Sequence, residues 1–272
     1  MPCNTGGLQI GWLTDIHLNF LSLESRSTFY TRLHNENLDA LLIGGDIGEA
    51  DSVVPILTEL AAAVEIPVYF VLGNHDFYHG SIAAVRQAIA ECCASSPWLH
   101  WLPNMAVVPL TADTALIGHD SWADGRLGDF FASEVMLNDY VLIEELRSLK
   151  KPQRFAALQA LGDEAAAYLE DRARQALAQR RNILVLTHVP PFRESCWHEG
   201  QISNQDYLPH FACKAVGERL AALMRERQQN NMTILCGHTH SPGVAYILDN
   251  LCVLTGGAEY GHPKLQRIFD LA

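Results

Sequence analysis

Apolar residues in this chain fall into short runs, and each run ends in polar residues of unusual chemistry. Leu8–Thr14 leads to Asp15, Ala40–Gly44 to Gly45-Asp46, and Val68–Leu72 to Gly73-Asn74-His75-Asp76. Further along, Ala115–Ile117 leads to His119-Asp120, Ile183–Thr187 to His188, and Met232–Cys236 to Gly237-His238-Thr239-His240. Runs this short, rich in Val, Ile and Leu, predict buried strands. Between them, Ser52–Val64 and Ser81–Cys92 carry helical spacing. Alternating strands and helices predict a largely parallel sheet, whose ligand site lies at the carboxyl ends of the strands. Those ends are where the Asp, Asn and His residues sit.

Two stretches depart from the alternation. After His240, the runs Val244–Leu248, Cys252–Leu254 and Leu265–Phe269 are separated by Asp249-Asn250 and Gly256-Gly257, which predicts antiparallel strands with tight turns. From about Gly125 to Arg180 the pattern is helical, with Pro152 as a break. Within it, Leu158, Leu161, Ala165, Leu169, Ala173 and Leu177 predict a long amphipathic helix over Ala156–Gln179. No internal repeat or low-complexity linker divides the chain. Residues 1–272 therefore read as one domain with a helical, cap-like insertion near 125–180.

Composition narrows the class. With 49% hydrophobic and 18% charged residues, the 272-residue chain is not disordered and can bury a large core. The 19 Lys+Arg and 31 Asp+Glu leave a net charge of −12, which disfavours an extended nucleic-acid or anionic-membrane surface. Seven Cys cannot all pair within the chain, and no C-x-x-C occurs among Cys3, the adjacent Cys92 and Cys93, Cys196, Cys213, Cys236 and Cys252. Reduced, mostly buried thiols in a cytoplasmic protein are expected. The start, MPCNTGGLQIGW, has no basic stretch followed by a long apolar one, and no apolar run approaches the ~20 residues of a membrane helix. No oligomeric state follows from these patterns.

The strand-end residues Asp15, His17, Asp46, Asn74, His75, His188, His238 and His240 form one chemical set. Carboxylate oxygens and imidazole nitrogens bind Zn, Mn and Fe. Asp15 and His17 are two apart, as are His238 and His240, so on an extended strand end each pair would point to one side. The ordered blocks Asp15-Ile16-His17, Gly45-Asp46, Gly73-Asn74-His75-Asp76, a lone His188 and Gly237-His238-Thr239-His240 resemble the calcineurin-like metallophosphoesterase family.

That resemblance implies an α/β fold, a four-layer α/β/β/α sandwich of two mixed sheets with flanking helices. It implies a dinuclear metal centre of Mn, Fe or Zn at the strand ends. One ion would be held by Asp15, His17, Asp46 and His240, and the other by Asp46, Asn74, His188 and His238, with Asp46 bridging. His75 would stand beside the centre as general acid or electrostatic stabiliser, oriented by Asp76. Two cations ~3.5–4 Å apart neutralise a phosphate ester, activate water and clamp the attacking and leaving oxygens in line. Candidate substrate contacts are Arg193, a guanidinium that suits phosphate, together with His119 and Tyr78.

The blocks also depart from some branches of the family. Protein Ser/Thr phosphatases carry Asp-Arg-Gly and G-N-H-E, whereas this chain has Asp46-Ile47-Gly48 and ends its third block in Asp76. The negative charge disfavours the nuclease branch. The reading is a phosphoesterase for a small anionic monoester or diester, with a cyclic-nucleotide phosphodiesterase as the nearest alternative. A non-catalytic metal-binding scaffold is the alternative of another class.

Overall fold

The computed structural model describes residues 7–272, so Cys3 lies outside the described residues. The first seven strands are β1 (Leu8–Leu13), β2 (Ala40–Gly44), β3 (Val68–Val71), β4 (Leu99–Trp101), β5 (Val108–Pro109), β6 (Thr114–His119) and β7 (Asn182–Thr187), and all but β4 and β5 fall on the apolar runs. A two-residue hairpin follows, β8 (Trp197–His198) and β9 (Gln201–Ile202), then β10 (Asn231–Cys236), β11 (Gly243–Leu248), β12 (Leu251–Thr255) and β13 (Arg267–Leu271).

These strands make two large sheets, as the family resemblance implies. The first has the order β13-β1-β2-β3-β4 and the second β11-β12-β10-β7-β6-β5. Both are parallel in the middle; β13, β11 and β5 add antiparallel edges. Val244–Leu248 does pair antiparallel with the following strand, across Asp249-Asn250. The last apolar run, however, leaves that hairpin and pairs with β1 in the other sheet.

The sheets stack face to face. Ile10, Trp12, Leu42 and Val71 of the first sheet meet Leu116, Leu184, Leu186 and Leu235 of the second. The alternate residues of the first sheet, such as Leu13, Leu41, Ile43 and Phe70, face outward and are also buried. Strands covered on both faces need apolar residues at every position, which is why the sequence shows continuous runs and no alternation.

Helices α1 (Leu23–Asn35), α2 (Val53–Val64) and α3 (Ile82–Ser95) cover the first sheet. Ser81 caps α3 by accepting the Ala84 N–H. Three short helices, α4 (Asp139–Leu142), α5 (Glu144–Arg147) and α7 (Leu208–Phe211), lie in connections. Helices α6 (Lys151–Leu177) and α8 (Lys214–Arg225) cover the second sheet, completing four layers.

The segment near 125–180 divides in two. Pro152 does not break a helix but sits in the first turn of α6, where its missing N–H costs no helical hydrogen bond. Ala165, Leu169, Ala173 and Ala176 of α6 pack against Ala115, Ile117 and Val185 of the sheet, so this helix is an outer layer of the core. The residues ahead of it, 125–150, are turns and two short helices instead of the continuous helical pattern expected, and they run to the edge where the strands end.

Candidate metal centre

The carboxyl ends of β1, β2 and β3 in one sheet and of β7 and β10 in the other meet at a common edge. Asp15, His17, Asp46 and His240 each offer one atom there, and these atoms all lie within 4.8 Å of one another. His17 Nε2 is 3.2 Å from His240 Nε2 and 3.6 Å from Asp46 Oδ2. His240 Nε2 is 3.5 Å from Asp15 Oδ1. A second group adjoins the first: His188 Nε2 and His238 Nδ1 each lie 3.0 Å from Asn74 Oδ1 and 3.2 Å from each other. Asp46 turns Oδ2 to the first group and Oδ1 to the second, 3.5 Å from His188 Nε2.

The far sides of these rings decide what the near sides can do. His188 Nδ1 lies 2.8 Å from the Gly44 carbonyl, a contact that only an N–H can make, so in the neutral ring Nε2 carries the lone pair. His238 Nε2 meets the His210 carbonyl at 3.1 Å, which leaves His238 Nδ1 bare. Asn74 donates its Nδ2 to Asp139 Oδ1 at 2.8 Å and to Tyr78 Oη at 3.1 Å, so its oxygen faces the two rings. Three acceptor atoms therefore converge with no proton to share between them. Neutral imidazole, amide oxygen and carboxylate are a donor set that fits Mn, Fe or Zn, with the tautomers set from outside as metal ligation requires.

The side chains converge by a different route from the extended spacing expected. Strand β1 stops at Leu13 and β10 at Cys236. Beyond them Asp15, His17, His238 and His240, and beyond β2 Asp46, adopt left-handed backbone, with φ of 50°, 40°, 70°, 58° and 52°. Each such residue costs about 1–3 kcal/mol and persists only where its surroundings hold it. Here Asp15 N–H donates to the Gly45 carbonyl, His17 N–H to the Asp46 carbonyl, and His238 N–H to the Asp15 carboxylate. The glycines before these turns have no room for more: a Cβ on Gly45 would sit 2.6 Å from Gly73 N, and one on Gly237 would collide with Asp15 Oδ2.

Charges are crowded. Burial pushes the Asp46 carboxyl well above the usual range, and the charges of Asp15 and Asp76 push it further. Burial works the same way on Asp15, but the hydrogen bond from His240 and the neighbouring imidazoles overcome it and hold that group low. His17 and His238 are pushed down to about 3, chiefly by burial, so both rings stay neutral.

A model of the calcineurin-like phosphoesterase family matches residues 8–242. The chain belongs to the calcineurin-like phosphoesterase family. It is accordingly a phosphate-ester hydrolase. No curated protein matches its sequence closely. Among solved structures it is similar to a phosphopantetheinyl hydrolase of Mycobacterium tuberculosis, at 17% identity and a TM-score of 0.63 over 93% of this chain and 90% of that one. It is also similar to a dimetal phosphatase of Danio rerio, at 13% identity and a TM-score of 0.59 over 93% and 88% of the chains. These likenesses concern the fold.

The remaining candidates of this phosphoesterase separate around a pocket of about 260 Å³ that contains Asp46, Asn74, His238 and His240 in its wall. His75 lines it, with its ring against His17 at 4.7 Å and stacked on Tyr78 at 4.2 Å. Burial pushes the His75 ring down to about 4. Asp76 does not orient it. The Asp76 carboxylate accepts the N–H groups of Ile47, Gly48 and Gly73 at 2.8–2.9 Å, and His75 Nδ1 has no hydrogen-bond partner among the described residues. Tyr78 lines the pocket, but its hydroxyl donates to Asp139.

Arg193 and His119 do not line the pocket. The Arg193 guanidinium lies 2.9 and 3.0 Å from the Gln205 side-chain oxygen once that amide is turned to accept. His119 is buried, accepts the Ser121 N–H and packs on Tyr168 of α6. The neighbouring Asp120 accepts from Leu72 N and Trp101 Nε1, which makes this strand end a packing feature. Sequence reading missed Tyr260 and Phe211 and assigned no role to His198 or Asp139. Tyr260 lies 4.6 Å from the His17 ring and Phe211 5.3 Å from the His238 ring. Tyr260 lies in a loop, His198 in the two-residue strand β8 and Phe211 in the short helix α7, none with a periodic signal; Asn138-Asp139-Tyr140 carries no role that its sequence assigns.

No helix among the described residues is long and apolar enough to cross a membrane. The six described cysteines are free.

Proposed function

We propose that this phosphoesterase is a dinuclear enzyme for small phosphodiesters, with one ion on Asp15, His17, Asp46 and His240 and the other on Asp46, Asn74, His188 and His238. The observation that carries this reading is Asp46, whose two oxygens face two separate groups of acceptor atoms. Bound there, a pair of Mn, Fe or Zn ions supplies the Lewis acidity that neutralises an anionic ester. His75, on the pocket wall beside His17, is placed to give a hydrogen bond to the leaving oxygen. Asp76 keeps the two loops that present Asp46 and Asn74 stitched together.

The choice of a diester rests on the pocket's composition. No Lys or Arg lines it among the described residues. A monoester dianion carries a second charge that a guanidinium commonly meets. A diester monoanion lacks that charge, and the exposed Tyr260 ring on the pocket wall suits a planar substituent. A cyclic nucleotide is one diester of this kind, which keeps cyclic-nucleotide hydrolysis as the second reading. Free thiols at all six described cysteines favour a cytoplasmic setting.

The metal-stripped chain, titrated with Mn, should take up two ions and then hydrolyse bis(p-nitrophenyl) phosphate faster than p-nitrophenyl phosphate; cyclic AMP forms a third arm. Uptake of ions without hydrolysis of any ester would favour the binding-scaffold reading. His75→Ala should slow turnover by about 10²–10⁴-fold while metal content stays at wild-type level. The deficit should grow as the leaving group worsens, and an unchanged rate with a poor leaving group removes His75 from this role.

A further inference from the structure

Asn74 is the only amide in the second group of acceptor atoms, and an amide can face either way. Rotation about its terminal torsion is broad and roughly two-fold, so the side chain itself sets no preference. Two bare nitrogens, His188 Nε2 and His238 Nδ1, stand 3.0 Å away. Turned over, the Asn74 NH₂ would donate to both and close the group to a cation. Something must hold the oxygen inward.

That something comes from segment 125–150. Asp139, at the start of α4 and 3% exposed, accepts from Asn74 Nδ2 at 2.8 Å and from Tyr78 Oη at 2.7 Å on the same oxygen, Oδ1. Its neighbour reaches the other side of the group. The Tyr140 hydroxyl lies 2.6 Å from His210 Nδ1, Ser133 Oγ lies 3.0 Å from His210 Nε2, and the His210 carbonyl receives His238 Nε2–H. Adjacent residues of one segment thus brace Asn74 directly and His238 through the His210 backbone. Neither side chain hydrogen-bonds to Asp15, His17 or His240.

We propose that Asp139 is a positioning residue that fixes the Asn74 amide oxygen inward, so that the affinity of the second ion depends on segment 125–150 while the first ion's does not. The proposal rests on the two-ion reading above. It makes the cap-like part of the predicted insertion a structural partner of the metal centre, quite apart from any contact with substrate.

Ion stoichiometry tests this without reference to turnover. After equilibrium dialysis against Mn, the Asp139→Ala chain should retain one ion and bind the second about 10–100-fold more weakly than wild type. Retention of the first ion reports that the site is still folded. Asp139→Asn keeps an oxygen able to accept from both partners and should restore the second ion. If the Ala variant does not accumulate as folded protein, Asp139→Ser, one bond too short to reach Asn74, should show the same selective loss. Two ions bound by Asp139→Ala as tightly as by wild type would overturn the inference, as would an Asp139→Asn chain as weak as the Ala variant. A wild-type chain that binds no ion would instead overturn the two-ion reading itself.

Discussion

Asp46→Ala should yield a folded protein that has lost both ions and turns over phosphate esters at least about 10³-fold more slowly. Asp46 is the one side chain whose oxygens serve both groups, so no single neighbour can replace it. Its removal is not expected to unfold the chain. The His75 N–H loses its acceptor, Asp46 Oδ1, a cost of about 1–3 kcal/mol. Against that, a buried carboxylate repelled by Asp15 and Asp76 is gone. The melting temperature of the metal-free variant should therefore lie near that of metal-free wild type. Elemental analysis, a diester assay and thermal melts check the three parts separately. Retention of both ions at wild-type affinity would remove Asp46 from the bridging role.

Asp76→Ala should act on stability first. The Asp76 carboxylate is fully buried and accepts three backbone N–H groups, from Ile47, Gly48 and Gly73. Burial pushes its carboxyl up to about 6 and the three donors oppose that shift, so at pH 7 the accepting form is present. Alanine leaves three buried donors without a partner, at about 1–3 kcal/mol each. Partial relaxation and water entry reduce the sum, and a loss of about 3–5 kcal/mol is expected in denaturant unfolding of the metal-free protein. Activity should fall only as the loops carrying Asp46 and Asn74 loosen, and excess metal should recover part of it. A variant as stable as wild type but catalytically dead would return Asp76 to a direct role beside His75.

Asp76 illustrates how far the sequence could be read. Its place in the block Gly73-Asn74-His75-Asp76 marks it as important, and adjacency to His75 invites an orienting role. The structure turns it the other way, onto a loop about 30 residues earlier in the chain. Arg193 shows the converse. Its chemistry suits phosphate, but it pairs with Gln205 and does not reach the pocket. Residue type says what a side chain can bind; its direction depends on partners remote in sequence.

The sequence by itself determined the longer strands and the family, because continuous apolar runs record burial on both faces and those that reach the site end in a metal-binding residue type at a sharp turn. It also carried the full set Asp15, His17, Asp46, Asn74, His188, His238 and His240, which the fold does bring to one edge. Only the tertiary structure decided which run joins which of the two sheets, since a strand buried on both faces reads the same in either. It also decided which nitrogen of each imidazole is bare and which way Asn74 faces. Those choices are made by the Gly44 and His210 carbonyls and by Asp139, groups that lie 144, 28 and 65 positions from the side chains they set. Hydrogen bonds across such separations leave no periodic trace in the chain, and they exist only once both sheets and segment 125–150 are in place.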